Sequence, residues 1–503
     1  MTRAQRRTGW RIFGAFLAGA ALLFPLTARA VNVAGTDKQV QEAEALERKG
    51  EWEKAGELYL QILARDKNAP VRTKLQVCAR HVQLAARHRD PLYLKRVRDL
   101  SPSQALTAYL DALGKLQANY VDRDKIAITT LFRHGLEEFG FALTDPAFQQ
   151  AHFTDIKPEE VRSFAARLAE EWGGQTFKKA ADARQAVREI AVRAQQALGL
   201  RPSFAVMEFV CGACNALDDQ TGYLPPSEEF AALTGQLTAF GVILGTSADG
   251  QIYVEEVVPG TWAAGTLRKG DRVTRLVRGD GEKEDNAQLV EIELAARDGA
   301  AARTVRMPLA LASVVDAELT QDGIGYLRIT GFQKTTPREL DEQLMSLKMS
   351  GLKALVVDLR GNPGGLFASG VQVAERLLPE GIIVTTQGQT FNRAYSSQSG
   401  PGALDVPLFV LTDGDTASAS EILAGALKEN QRAVLIGQPT YGKGTMQQVL
   451  QLATGGVRIT LARFYTPRGQ PYQGVGVAPH ILESANPHKV AIEQARQTLM
   501  MRP

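Results

Sequence analysis

Thr416, Ser418 and Ser420 stand together in one short run, and further on Lys443 lies between Gly442 and Gly444. A serine hydroxyl is a poor nucleophile until a base takes its proton. Lysine can act as that base only when neutral. Its ordinary pKa is roughly 10.4, so burial or a nearby cation must lower it. The backbone N–H that follows a nucleophile at a helix start, here that of Ala419, can bind an oxyanion. A glycine-rich turn upstream, Arg360-Gly361-Asn362-Pro363-Gly364-Gly365, could supply a second donor from Gly364 or Gly365. Of the six histidines only His480 falls in the same part of the chain, and it is kept as a minor alternative base. Taken singly, Thr416, Ser418 and Ser420 read as helix caps and Lys443 as a solvated loop lysine. The pairing, together with the glycine turn, is what points to chemistry.

The elements that must position these residues follow from the apolar pattern. An apolar strand over 407–411 precedes Ser418, and a helix pattern (Ile422, Leu423, Ala426, Leu427) follows it. A second strand over 433–437 leads to Lys443, and a buried strand over 354–359 leads into the glycine turn. Strands at 325–329, 457–464 and 474–481 and helices at 337–349 and 368–378 complete the unit. Strands alternating with helices predict an α/β core.

Upstream the texture differs. Residues 38–72 have apolar residues at helical spacing, with Gly50 and Trp52 at a turn. With Ala55 and Tyr59 they resemble one tetratricopeptide unit, or read as a plain helical hairpin. Residues 100–200 stay helical, with boundaries at Asp145-Pro146 and Lys157-Pro158. From 235 to 311 the chain turns to short strands (239–244 and 252–258), a Pro259-Gly260 turn, a short helix at 263–267 and a tight turn at 269–273. These parts resemble a PDZ domain. Its first strand, with Phe240, Gly241, Val242 and Ile243, would expose backbone N–H groups to a peptide carboxylate and accept the peptide as an added strand. A β module used only as a spacer is the alternative.

At 503 residues the chain is long enough for about three domains of ~150 residues. It is 44% hydrophobic and 22% charged, which fits a globular protein and not a disordered one. The net charge of +3 owes everything to five arginines in the first 30 residues, where no acid occurs. The remainder gives no argument for nucleic-acid binding. Arg3, Arg6, Arg7 and Arg11, an apolar run over 12–26 and Ala28-Arg29-Ala30 predict a cleaved export signal, with an uncleaved N-terminal anchor as the alternative. Cys78, Cys211 and Cys214 are the three cysteines. Cys211 and Cys214 read as small residues packed on one helix face, or as a local disulfide. No second pair exists to complete a zinc site, and no cofactor or metal is implied.

The runs Asp358 to Gly365, Thr416 to Ile422, Thr440 to Thr445 and Gly474-Val475-Gly476-Val477 together resemble the carboxyl-terminal processing (tail-specific) proteases. Leu217-Asp218-Asp219 and Tyr223-Leu224 agree with the same family, and Asn119-Tyr120-Val121-Asp122 is a weaker echo. The resemblance covers roughly 205–485. It implies Ser418 as nucleophile, Lys443 as base, Gln447 orienting the lysine, and oxyanion amides at Ala419 and at Gly364 or Gly365. It implies an exported serine endopeptidase of the periplasm or cell envelope, cutting proteins near a free C-terminus that a PDZ domain recognises; the alternative is a non-catalytic PDZ and helical-repeat scaffold, or a ligand-binding protein on the same core. An adaptor protein could dock on the N-terminal helices. The expected organisation is a signal peptide (1–30), a helical region (31–205), a linker motif (206–234), the PDZ-like domain (235–311), the protease core (312–485) and a C-terminal helix or tail (486–503). His480 departs from the family pattern, which usually has an acid after the proline.

Overall fold

The structure is a computed structural model that describes residues 33–66, 69–226, 242–246, 252–257, 266–279, 288–295, 302–309, 313–398 and 404–501. The expected export signal, Phe240, Gly241 and most of the short helix at 263–267 lie outside these residues.

The N-terminal part is all helical. Helices Val33–Arg48 and Trp52–Arg65 form a hairpin that turns at Gly50, whose φ of 72° lies in the left-handed region glycine favours. Later helices start where the sequence supplies caps. Ser101 and Gln104 form a reciprocal capping box, and the Asp145 carboxylate accepts the N–H groups of Ala147 and Phe148. Helix Pro202–Asn215 is buried along its whole length, Glu208 and Asn215 included, so it is packed on every side. The expected boundary between residues 205 and 206 therefore falls inside a central helix. All three cysteines are buried free thiols, so Cys211 and Cys214 pack without a disulfide.

The strands are numbered in chain order. β1 is Gly222–Leu224. β2 (Val242–Thr246), β3 (Ile252–Val257), β4 (Arg272–Gly279), β5 (Gln288–Leu294) and β6 (Arg303–Leu309) form an antiparallel sheet in that order, so β2 is an edge strand. Leu92, from helix Pro91–Asp99, is buried in this sheet's apolar cluster with Val254 and Ile292.

The α/β part is built on a six-stranded sheet in the order β16-β13-β12-β9-β8-β7. Here β7 is Val315–Leu319, β8 Ile324–Ile329, β9 Ala354–Asp358, β12 Leu408–Thr412, β13 Ala433–Gly437 and β16 Ile481–Leu482. All neighbours run parallel except β7, which pairs antiparallel with β8. β9 and β12 are buried at every position, as strands covered on both faces must be. Helices Thr336–Met349, Phe367–Leu377 and Ala419–Glu429 contribute to one apolar cluster, and helix Pro487–Met501 to another with Phe409 and Leu411. A separate antiparallel sheet joins β10 (Gly381–Gly388), β11 (Arg393–Ser397), β14 (Thr445–Gln451), β15 (Gly456–Tyr465) and β1.

The expected strand over 474–481 is mostly absent. Gly474 (φ 74°) and Gly476 (φ 69°) turn the chain in the left-handed region, and only Ile481–Leu482 pairs. Among the described residues no helix is long and apolar enough to cross a membrane.

Candidate active site

The residues singled out by their chemistry meet where the parallel strands end. β9 runs into the glycine turn, β12 into Ser418 and β13 into Lys443. Loops at the carboxyl ends of a parallel sheet are where such folds place ligands.

Ser418 has φ 59° and ψ −115°, directly before helix Ala419–Glu429. A non-glycine residue held there is strained, and the strain persists only because its surroundings fix it. Gly364 is part of those surroundings: a Cβ on it would lie 2.8 Å from Ser418 Cβ and 2.9 Å from Ala419 N. Any side chain at 364 would strike the serine turn.

The three hydroxyls have different occupations. Thr416 Oγ1 donates to Leu359 O (3.0 Å) and accepts the Asp413 N–H (3.0 Å). Ser420 Oγ donates to Asn362 O (3.0 Å). Both residues are buried, whereas Ser418 is partly exposed. The flanking hydroxyls tie the serine turn to the glycine turn, and the middle one faces outward.

A buried carboxylate joins this turn to the lysine loop. Glu421 Oε2 accepts the N–H of Ser418 (2.8 Å) and the N–H of Lys443 (2.8 Å). The two backbone nitrogens are therefore within two hydrogen-bond lengths of each other. Glu421 Oε1 accepts the Gly442 N–H (2.7 Å) and the Thr440 hydroxyl (2.5 Å). Burial pushes the Glu421 carboxyl above its ordinary 4.5, although four hydrogen bonds oppose the rise. On the other side of the lysine loop, Gly442 and Gly444 admit the 472–476 segment. A Cβ on Gly444 would sit 2.3 Å from Gln473 N, and one on Gly442 3.1 Å from Val475 N. Lys443 is partly buried, and its ammonium is held below the ordinary 10.5. Burial is the largest cause, the Arg458 cation adds to it, and Glu421 works against both.

Of the expected oxyanion donors, Gly364 N–H is taken by Asn362 Oδ1 (2.9 Å). Among the described residues no hydrogen bond occupies the N–H of Ala419 or of Gly365. Asn362 is buried, and its amide also donates to Ile329 O (2.9 Å). Gln447 lies on β14, and its amide nitrogen donates to Thr445 Oγ1 (2.7 Å). His480 Nδ1 accepts the Leu435 N–H (2.9 Å), so its ring is committed to β13. Val242 and Ile243 open the edge strand β2.

Glu421 and Asn362 are the site residues that the sequence reading passed over. Glu421 had a signal: Ser418-Ala419-Ser420-Glu421 is the capping-box spacing, which sends the glutamate back to the cap N–H. Asn362 had none beyond its place in the glycine turn.

The upstream motifs converge on β15. The Arg463 guanidinium binds both oxygens of Asp122 (2.7 Å each) and holds that carboxyl below its ordinary range. Asp218 Oδ1 accepts the Gln220 and Thr221 N–H groups (2.7 Å each) and the Thr460 hydroxyl (3.3 Å). Asp219 receives Gln76 from helix Arg72–Arg87. The helical region is thus clamped to the strand that pairs with β14.

Residues 323–482 match the model of peptidase family S41. A carboxyl-terminal-processing protease of Synechocystis sp. is 38% identical over 170 residues, 34% of this chain and 40% of that protein. The chloroplastic carboxyl-terminal-processing peptidase 2 of Arabidopsis thaliana is 35% identical over 297 residues, 52% of this chain and 57% of that protein. The chain thus spans about half the length of these curated relatives. A solved photosystem II D1 C-terminal processing protease shares 23% identity, covering 76% of this chain and 94% of that one, with a TM-score of 0.40.

Proposed function

We propose that this chain, with a peptidase family S41 domain over residues 323–482, is a serine endopeptidase that cuts proteins near their C-termini with a Ser418–Lys443 dyad. The observation that carries this reading is the single Glu421 oxygen that binds both the Ser418 and the Lys443 N–H. It fixes nucleophile and base relative to each other without using either reactive side chain.

Neutral Lys443 takes the proton of Ser418 Oγ as that oxygen attacks the scissile carbonyl carbon. Negative charge then develops on the carbonyl oxygen, which the N–H groups of Ala419 and Gly365 are free to bind. Gly364 contributes by letting the two loops touch. Collapse breaks the C–N bond, and the lysine proton passes to the departing amine. A water molecule, deprotonated by Lys443, then releases the acyl group. Gln447 orients the lysine through its amide oxygen.

The edge strand β2, beginning at Val242 and Ile243, supports the reading of 235–311 as a PDZ domain that adds the substrate tail as a strand. The basic, apolar N-terminus supports export, to the periplasm or cell envelope. The N-terminal hairpin is proposed as a docking face for an adaptor.

The test uses a fluorophosphonate, which labels activated serines without knowledge of the substrate. Ser418→Ala should abolish labelling, and Lys443→Ala should slow it by about a thousandfold or more, because the two act as a unit. Undiminished labelling or peptide cleavage in folded Ser418→Ala would overturn the assignment and leave a non-catalytic scaffold as the reading.

A further inference from the structure

We infer that Asp413 is a positioning residue for this site: one oxygen of its side chain joins the serine loop to the glycine turn, and so holds the Gly365 N–H fixed relative to Ser418. The inference rests on the reading of Ser418 as nucleophile and of Gly365 as an oxyanion donor.

Asp413 directly follows β12, on the way to Ser418. Its Oδ1 accepts N–H groups from both loops. Two belong to its own loop, those of Asp415 (3.0 Å) and Thr416 (2.9 Å). The third is the Gly361 N–H of the glycine turn (3.0 Å). That N–H lies in one rigid plane with the Arg360 carbonyl, so holding it sets the orientation of the whole peptide unit. The other hydrogen bonds from the serine loop end on carbonyls in or beside the turn. Thr416 Oγ1 donates to Leu359 O, and Ser420 Oγ and the Ala417 N–H donate to Asn362 O. Among the described residues, Asp413 is thus the acceptor that the serine loop offers to an N–H of the glycine turn.

The turn ends on Gly365. Phe332 bridges that residue in parallel: the Phe332 N–H donates to Gly364 O (3.0 Å), and Phe332 O accepts the Leu366 N–H (2.8 Å). The middle residue of such a bridge turns its own N–H to the opposite edge. The Gly365 N–H therefore faces away from Phe332. Phe332 fixes the far end of the turn and Asp413 the near end. Asp413 does for the oxyanion side what Glu421 does for the lysine side, where one carboxylate oxygen spans two loops.

The experiment follows Ser418 labelling by a fluorophosphonate against pH and reagent concentration in the full chain, with thermal melts to confirm folding. In the parent the rate rises with pH to a plateau as Lys443 loses its proton. Asp413→Ser keeps a hydroxyl that can accept the Asp415 and Thr416 N–H groups but is one bond too short to reach Gly361. Its plateau rate per folded molecule should fall about tenfold at saturating reagent, with the half-saturating concentration within about twofold of the parent. The rise should stay at the parent pH, because the charges that act on Lys443 are those of Arg458 and Glu421. Asp413→Asn keeps an oxygen acceptor at full reach and drops the charge, and should restore the plateau to within about threefold of the parent. If Asp413→Ser does not fold, Asp413→Thr carries the same test. A parent-like plateau in the folded hydroxyl variant would overturn the proposal in favour of an aspartate that only shapes its own loop. A loss in Asp413→Asn as deep as in Asp413→Ser would overturn it in favour of a role for the charge. Labelling of folded Ser418→Ala would instead overturn the nucleophile assignment.

Discussion

Among the fully buried glutamates of the described residues, Glu208 and Glu421 are held in opposite ways. Glu208, on helix Pro202–Asn215, meets Arg87 Nη2 at one oxygen and the His88 ring Nε2 at the other (2.9 Å). Burial is the largest single influence on its carboxyl and pushes it up, yet Arg87 and His88 together outweigh that and hold it well below the carboxylate range. Glu421 meets three backbone N–H groups and a threonine hydroxyl, and burial wins. The helical region balances its buried charge with formal partners, as a structural core must. The site spends a buried charge on geometry and leaves it unneutralised, at the one place where a lysine must stay short of its own full charge.

The largest expected effect follows from the first arrangement. Glu208→Gln takes from Arg87 one of its two buried carboxylate partners, Glu138 being the other, and from His88 the carboxylate its ring meets, and should cost about 3–5 kcal/mol in denaturant unfolding. Fluorophosphonate labelling per folded molecule should not change. The pH dependence runs the same way. Burial, with the neighbouring His88, keeps His152 neutral down to about 3, and burial lowers His88 as well. Unfolding lets both take protons, so stability is lost as pH falls below the ordinary 6.5. The depressed Glu208 carboxyl adds a further loss below 4.5. Glu421 is shifted upward, so its contribution has the opposite sign and weakens as pH rises through its raised value. Hydrogen exchange resolved by region should therefore show the helices opening before the α/β core on acidification. Simultaneous opening would erase the distinction between the two glutamates.

Glu421→Gln tests the second arrangement. An amide keeps the size but offers one acceptor oxygen where the carboxylate offers two, so one pair of donors goes unmet. Stability should fall by about 1–3 kcal/mol, and the plateau labelling rate by about tenfold, as the serine and lysine loops lose their common anchor. Removing the negative charge should also shift the lysine-dependent rise to lower pH, because Glu421 works to keep Lys443 protonated. An unchanged plateau would show that the loops hold each other without the carboxylate.

The strand ends that build the site were legible because β9, β12 and β13 are short apolar runs, each followed by polar or glycine residues. The hydroxyl and lysine were legible as residue types placed after such strands. What the sequence hid was long-range pairing. β15 binds β1, β10 and β14, and nothing local to Arg463 announces that Asp122 will stand beside it. Helix Pro202–Asn215 is hidden in the sequence because it is mostly apolar on every side, so no continuous polar face gives its period away. The strand expected at 474–481 failed for a local reason, two left-handed glycines, which alternating apolar residues disguise.

The smallest effect is expected from Ser420→Ala, the substitution nearest to the proposed nucleophile that should leave catalysis intact. Ser420 Oγ donates to Asn362 O, but that carbonyl also accepts the Ala417 N–H (3.0 Å). Removing the hydroxyl leaves no buried acceptor unpaired, and a methyl group fits where the serine side chain already lay. The loss should be the net value of one hydrogen bond, about 1 kcal/mol, read as a small drop in the unfolding midpoint. Labelling should stay within about twofold of the parent. A loss like that of Ser418→Ala would mean that the turn, and not the outward-facing hydroxyl, was what the chemistry required. The contrast between a buried group that holds geometry and an exposed one that reacts would then have been drawn at the wrong serine.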